Sequence, residues 1–218
     1  MDFETARTKM VDNQIRTTDV TRHDILRAFL QVPREEFVPA SSRKPLAYID
    51  EDLPLGHGRY LMEASPFAKL LQLAAVTPED VVLDVGCGTG YSSAVLSHLA
   101  GSVVALEEDV ELAAFASENL MRLDYVTCVV VEGKLEDGYP SEAPYDVIVF
   151  EGAVGCLPDT FLEQLREGGR LVVVEGVGNA ASAKLYFKDE NGIVSDRFGF
   201  NCSVKPLPGF EKRREFVF

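Results

Sequence analysis

Five Val-rich runs constrain this chain more than any other feature: Val81–Val85, Val103–Leu106, Val126–Val131, Val147–Phe150 and Leu171–Val174. They are nearly continuous in apolar residues rather than alternating, the pattern of strands buried on both faces. Their starts recur every 21 to 24 residues, the length of one strand–helix unit. Helical patterns fill three of the gaps: Tyr91–Leu99, Val110–Leu123, and Thr160–Leu165 with Gly168-Gly169 as its stop. Between 133 and 145, Pro140 and Pro144 leave room for a turn or a short helix only. Such a series predicts a doubly wound α/β fold with a mainly parallel, Rossmann-like sheet.

Upstream, residues 1–75 read as helical and are punctuated by prolines. Thr21 is placed to cap a helix through Leu30, and Ser65-Pro66 to open another over Phe67–Ala75. Ala47–Tyr60, with Pro54, Gly56 and Gly58, has no period and reads as an ordered loop. Downstream, Lys184–Lys188 and Ile193–Val204 read as strands joined by a Glu190-Asn191-Gly192 turn, so the sheet should end antiparallel.

Charge narrows the partners. With 21 Lys+Arg against 35 Asp+Glu the chain carries −14 at pH 7, which repels phosphate backbones and argues against nucleic acid. The one basic cluster is Lys212-Arg213-Arg214. Cys87, Cys128, Cys156 and Cys202 are scattered, as are His23, His57 and His98, so neither a disulfide framework nor a metal site is expected. No apolar run is long enough to span a membrane, and Met1-Asp2-Phe3-Glu4 does not open a signal peptide. The expectation is a cytoplasmic protein.

The informative segment is Leu83-Asp84-Val85-Gly86-Cys87-Gly88-Thr89-Gly90-Tyr91, which follows the first strand and opens a helix. Its glycines therefore fall at the carboxyl end of the sheet, where such folds bind ligands. The dinucleotide fingerprint is not met, because Tyr91 stands at its last glycine, and no lysine makes this a phosphate loop. Glu107, ending the next strand, is placed to accept hydrogen bonds from both hydroxyls of an adenosine ribose. Together these pieces read as an S-adenosylmethionine site. Plainer roles are open to several of them: Asp84 as a turn cap, Glu108 and Asp109 as helix N-terminal acids, Tyr91 as core, His57 as a loop histidine packing its ring.

Met10-Val11 with Gln14-Ile15, Val32-Pro33-Arg34-Glu35-Glu36-Phe37-Val38-Pro39, Ala47-Tyr48, Asp50, Leu53-Pro54-Leu55-Gly56-His57-Gly58, the glycine motif and Ala143-Pro144-Tyr145-Asp146 resemble the protein-L-isoaspartate O-methyltransferases. The likeness runs from about Met10 to Leu207. It implies a single S-adenosylmethionine-dependent methyltransferase domain over 1–218: a helical extension and lid loop (1–80), a cofactor-binding core (81–176) and C-terminal strands (177–218). It also implies Asp84, Gly86, Cys87, Gly88, Gly90, Glu107, Glu108, Gly133, Lys134 and Glu151 as cofactor-binding residues. His57, Gly58, Arg59 and Met62 would stand at the reaction, and the acceptor would be a peptide or protein carboxylate or a small acidic molecule. Oligomeric state is not implied.

Two stretches depart from the family. Where it continues Gln-Thr-Ile-Ser-Gln-Pro, this chain has Arg59-Tyr60-Leu61-Met62-Glu63-Ala64; where it has Gly-Asp-Gly, this chain has Gly133-Lys134-Leu135. Arg59 is expected either to turn inward and pair with an acceptor carboxylate or to lie solvated on the loop. Two rival readings follow: a methyltransferase with another acceptor, and a cofactor-binding or regulatory relative without catalysis.

Overall fold

The computed structural model describes residues 2–39, 41–176 and 178–210; Lys212-Arg213-Arg214 lie outside them. A seven-stranded sheet forms the centre: β3 (Val81–Val85), β4 (Ser102–Glu107), β5 (Cys128–Glu132), β6 (Tyr145–Val154), β7 (Leu165–Glu175), β8 (Ser182–Lys188) and β9 (Val194–Asn201). Its order is β5-β4-β3-β6-β7-β8-β9. The first five strands are parallel, and β8 and β9 add antiparallel at one edge. The order reverses between β3 and β6, which places a crevice beyond their carboxyl ends.

Alternate residues of each strand feed two cores. Val82, Val103, Val147, Val149, Val172 and Val174 face the N-terminal helices α1 (Phe3–Met10), α2 (His23–Gln31) and α3 (Ala64–Ala74) with α4 (Tyr91–Leu96). Leu83, Val85, Leu106, Ile148, Phe150, Leu171 and Val173 face the one-turn helix α6 (Thr160–Glu163), Leu135, Tyr145 and the C-terminal Leu207 and Phe210. Helix α5 (Val110–Arg122) closes over β4 through Ala116 against Ala105, with Asp109 as its N-cap. The doubly wound reading holds, with a thin second layer. No helix among the described residues is long and apolar enough to cross a membrane.

Several local expectations are corrected. Residues 53–61 form a hairpin, β1 (Leu53–Gly56) with β2 (Arg59–Leu61), not a loop. His57 and Gly58 both take positive φ, 52° and 74°, as the two central residues of a type I′ turn require. Thr21 does not cap α2; the backbone N–H groups of Thr21 and Arg22 donate instead to Gln72 Oε1, a tertiary partner. Helix α3 opens at Ala64, before Ser65-Pro66, because Asp52 Oδ1 accepts the Glu63 N–H and fixes the chain earlier. Gly168-Gly169 do not stop a helix. Helix α6 has ended by Gln164, and Lys188 Nζ takes up the carbonyls of Leu162 and Leu165 while the glycines lie within β7. The Val126–Val131 run is not buried on both faces: β5 is an edge strand, with Val126 81 % and Val129 59 % exposed.

Candidate functional site

Gly86, Gly88 and Gly90 hold φ of 81°, 57° and 90°, which side-chain-bearing residues rarely adopt. The loop is pinned to β4 by Gly86 N–H and Cys87 N–H, both donating to Leu106 O. A Cβ on Gly86 would lie 2.7 Å from Arg59 Nη2 and 2.8 Å from Leu207 Cδ2, and one on Gly88 2.9 Å from Leu55 Cδ1. These two glycines therefore face the hairpin and the C-terminal segment across the crevice. Gly90 differs. It is the N-cap of α4 and meets Leu120 and Ala116 of α5, so it serves helix packing.

Glu107 ends β4 with 0 % exposure. Its Oε1 accepts the N–H groups of Glu108 (3.0 Å) and Asp109 (3.2 Å). Its Oε2 accepts from Gly88 N–H (2.7 Å) and Arg59 Nη2 (3.0 Å). One strand terminus is thus tied to the glycine loop, to the start of α5 and to the hairpin.

Asp84 does not face the ligand crevice as a free acid. It is buried beneath the loop and accepts from Ser92 Oγ (2.7 Å) and Ser93 Oγ (2.6 Å), fixing the start of α4. Burial pushes its carboxyl up to about 6, with the two hydroxyls opposing and Glu107 adding to the rise. Glu151, in β6 one residue past the Phe150 that pairs with Val85 at the end of β3, has an Oε1 with no partner among the described residues. Burial, and then Asp84, raise its carboxyl well above the ordinary range. Burial likewise raises the Cys87 thiol.

The hairpin brings His57, Gly58 and Arg59 to this edge. His57 does not pack its ring in a loop; at the exposed turn its Nδ1 lies 2.6 Å from Asp109 Oδ2 and its Nε2 3.4 Å from Glu111. Arg59 is not solvated: it is 3 % exposed and donates to Gly86 O at 2.7 Å as well as to Glu107. The partner of this inward arginine is the chain's own acid. Met62 is not brought to the reaction edge; its side chain joins the N-terminal core and its carbonyl accepts from Arg34 Nη2.

A cleft of about 360 Å³ is lined by His57 and Arg59 of the hairpin, Glu107, Glu108 and Asp109 after β4, Lys134 and Glu136 after β5, and Pro208 and Gly209. That is within the ~300–1,000 Å³ usual for small-ligand sites. Gly133 joins the edge by donating its N–H to Glu107 O. Sequence reasoning missed the C-terminal wall, where Leu207 N–H donates to Ala153 O and Ala153 N–H to Lys205 O. The signal present was Pro206-Leu207-Pro208-Gly209, a rigid turn-forming stretch. Glycine loop, buried acid and cleft fit a nucleoside cofactor, provided Arg59 leaves Glu107.

Comparison with known proteins agrees with this geometry. The sequence profile of the family Protein-L-isoaspartate(D-aspartate) O-methyltransferase (PCMT) matches residues 5–209. A protein-L-isoaspartate O-methyltransferase of Koribacter versatilis is 39% identical over 95% of this chain and 92% of its own. One from Methanopyrus kandleri is 36% identical over 98% and 96%. A solved protein-L-isoaspartate O-methyltransferase superposes with a TM-score of 0.80 at 27% identity, covering 94% of this chain and 67% of that one. A Plasmodium falciparum structure described as a putative protein-L-isoaspartate O-methyltransferase, in complex with S-adenosyl-L-homocysteine, shares the fold with a TM-score of 0.77 at 20% identity, over 92% and 97%.

Proposed function

The chain belongs to the protein-L-isoaspartate(D-aspartate) O-methyltransferase family, and from that premise we propose that it methylates the free carboxylate of isoaspartyl residues in damaged proteins, using S-adenosyl-L-methionine. The observation that carries the reading is the buried Glu107 carboxylate, tied by the Gly88 N–H to a loop of positive-φ glycines at the carboxyl end of a parallel sheet. The cofactor supplies an electrophilic methyl group on a sulfonium. Everything else falls to the chain. Gly86 and Gly88 admit a ligand close to the backbone, Glu107 accepts from ribose hydroxyls, and Glu108, Gly133 and Lys134 flank the base. Asp84, Cys87 and Gly90 act from behind by fixing the loop and α4.

The acceptor needs no general base, since an unperturbed carboxyl has a pKa near ~3.9 and is ionised at neutral pH. What it needs is a dry site and little repulsion. Leu55 and Leu207, which stand against the glycines, give the site apolar walls. Glu151, whose carboxyl burial raises well above the ordinary range, stays with the cofactor-binding residues in this reading. His57 and Gly58 form the lid's tip. The acid balance of the chain suits a peptide partner and not a nucleic acid. The free thiols Cys87, Cys128, Cys156 and Cys202 suit the reducing cytoplasm.

A second reading, another acceptor on the same fold, is favoured by Tyr60 and Met62: the tyrosine, whose hydroxyl sits at the far end of its ring, faces outward, and the methionine, which has no hydroxyl, joins the N-terminal core. The test is transfer of labelled methyl from S-adenosyl-L-methionine to an isoaspartyl peptide beside its aspartyl twin. Base-labile label is expected on the isoaspartyl peptide alone. Label on neither peptide, from protein that binds the cofactor, refutes the isoaspartyl reading.

A further inference from the structure

We propose that Arg59 is the determinant of cofactor access: its guanidinium occupies the position on Glu107 that a ribose must take, and binding proceeds by exchange of the one for the other. The proposal rests on the cofactor reading above. A carboxylate offers about four lone-pair sites, and all four on Glu107 are in use. Three of the donors are backbone N–H groups: that of Gly88, held by the glycine loop after β3, and those of Glu108 and Asp109, held by the turn from β4 into α5. Only the fourth, Arg59 Nη2, belongs to a side chain that can leave. A ribose hydroxyl reaching Glu107 therefore displaces Arg59 or does not bind.

The same nitrogen donates to Gly86 O at 2.7 Å and lies 2.7 Å from where a Gly86 Cβ would stand. The guanidinium is thus laid, beside Leu207 Cδ2, along the face of the glycine loop where a side chain on Gly86 would stand. The hairpin holds it there. Strand periodicity turns Arg59 and Leu61 toward the protein while Tyr60 faces outward, Leu55 rests on Gly88, and His57 ties the tip to Asp109. Arg59 Nε has no partner among the described residues, so the guanidinium is held through Nη2 and is not locked on every side. It can leave when the hairpin lifts or its own side chain rotates.

If the exchange position is free in a tenth of molecules or fewer, the apparent affinity is at least tenfold below the intrinsic one. Titration calorimetry with S-adenosyl-L-homocysteine on the native protein and on Arg59→Gln tests this, with circular dichroism confirming that both are folded. The variant is expected to bind at least tenfold more tightly. Equal or weaker binding by the folded variant overturns the proposal, since Arg59 would then be indifferent to the ligand or in contact with it. No binding by either protein at millimolar ligand overturns the cofactor reading and the proposal with it. Should the variant fail to fold, the native protein serves: phenylglyoxal labelling of Arg59, read by mass spectrometry, rises severalfold when S-adenosyl-L-homocysteine is bound. An arginine equally shielded with and without bound ligand overturns the exchange.

Discussion

Replacing Asp84 by Asn tests whether the acid beneath the glycine loop is an internal burden on the fold. Asp84 is fully buried, and burial pushes its carboxyl from 3.8 up to about 6. Between about pH 4 and pH 6 the folded chain then keeps a proton that the unfolded chain has lost. Stability accordingly falls as pH rises through that window, because ionising the group inside the protein is harder than ionising it in water. The rise from 3.8 to about 6 corresponds to ~3 kcal/mol, present in full below pH 4 and lost once pH has passed 6. Asn keeps an oxygen for the Ser92 and Ser93 hydroxyls but cannot ionise. Urea unfolding of both proteins from pH 4 to 7.5 should show the variant gaining ~3 kcal/mol on the native protein across the window, whatever their offset at pH 4. Dilute protein is needed, since the sequence pI is about 4.6. Parallel stability curves would refute the argument.

Arg34→Lys should destabilise the fold by about 2–4 kcal/mol in urea unfolding, because a single ammonium cannot replace both hydrogen bonds to Ala47 O and Met62 O and the stacking on Tyr91; a loss below ~1 kcal/mol would show that the buried carbonyls find other donors. Gly90→Ala should lower the thermal midpoint by roughly 2–8 °C, since φ is 90° and a Cβ would stand 3.2–3.3 Å from Leu120 and Ala116; an unchanged midpoint would mean that the loop and α5 both yield.

What the sequence made legible was whatever depends on local pattern. Doubly buried strands, the glycine loop and the acid ending β4 each leave a signature within a few residues. The hairpin was hidden because Pro54 and Gly56 mask its alternation, and because a bulge between Pro54 and Gly56 breaks the period. Read as a hairpin around His57-Gly58, the same letters would have turned Arg59 inward with Leu61. Partners distant in sequence left no local trace. Nothing near Thr21 announces Gln72, 51 residues away, and nothing near Gly152 announces Leu207, whose Cγ lies 2.8 Å from where its Cβ would be. The glycine at 152 was legible as a glycine, but its reason was not. Edge strand and inner strand also read alike in Val-rich letters, and only the sheet order tells that Val129 faces solvent.

The arginine at 59 and the acid at 107 explain each other through burial. A carboxylate removed from water is strongly destabilising unless it is paired and hydrogen-bonded. Three backbone donors satisfy lone pairs on Glu107 without neutralising its charge; the guanidinium does both. The neutral Gln that the family carries at this position can donate a hydrogen bond but no charge. Arg59 therefore stabilises the closed hairpin for the same physical reason that it competes with a ribose. Two demands on one lone pair set stability of the closed site against cofactor affinity, so a substitution at 59 that loosens the fold should tighten binding.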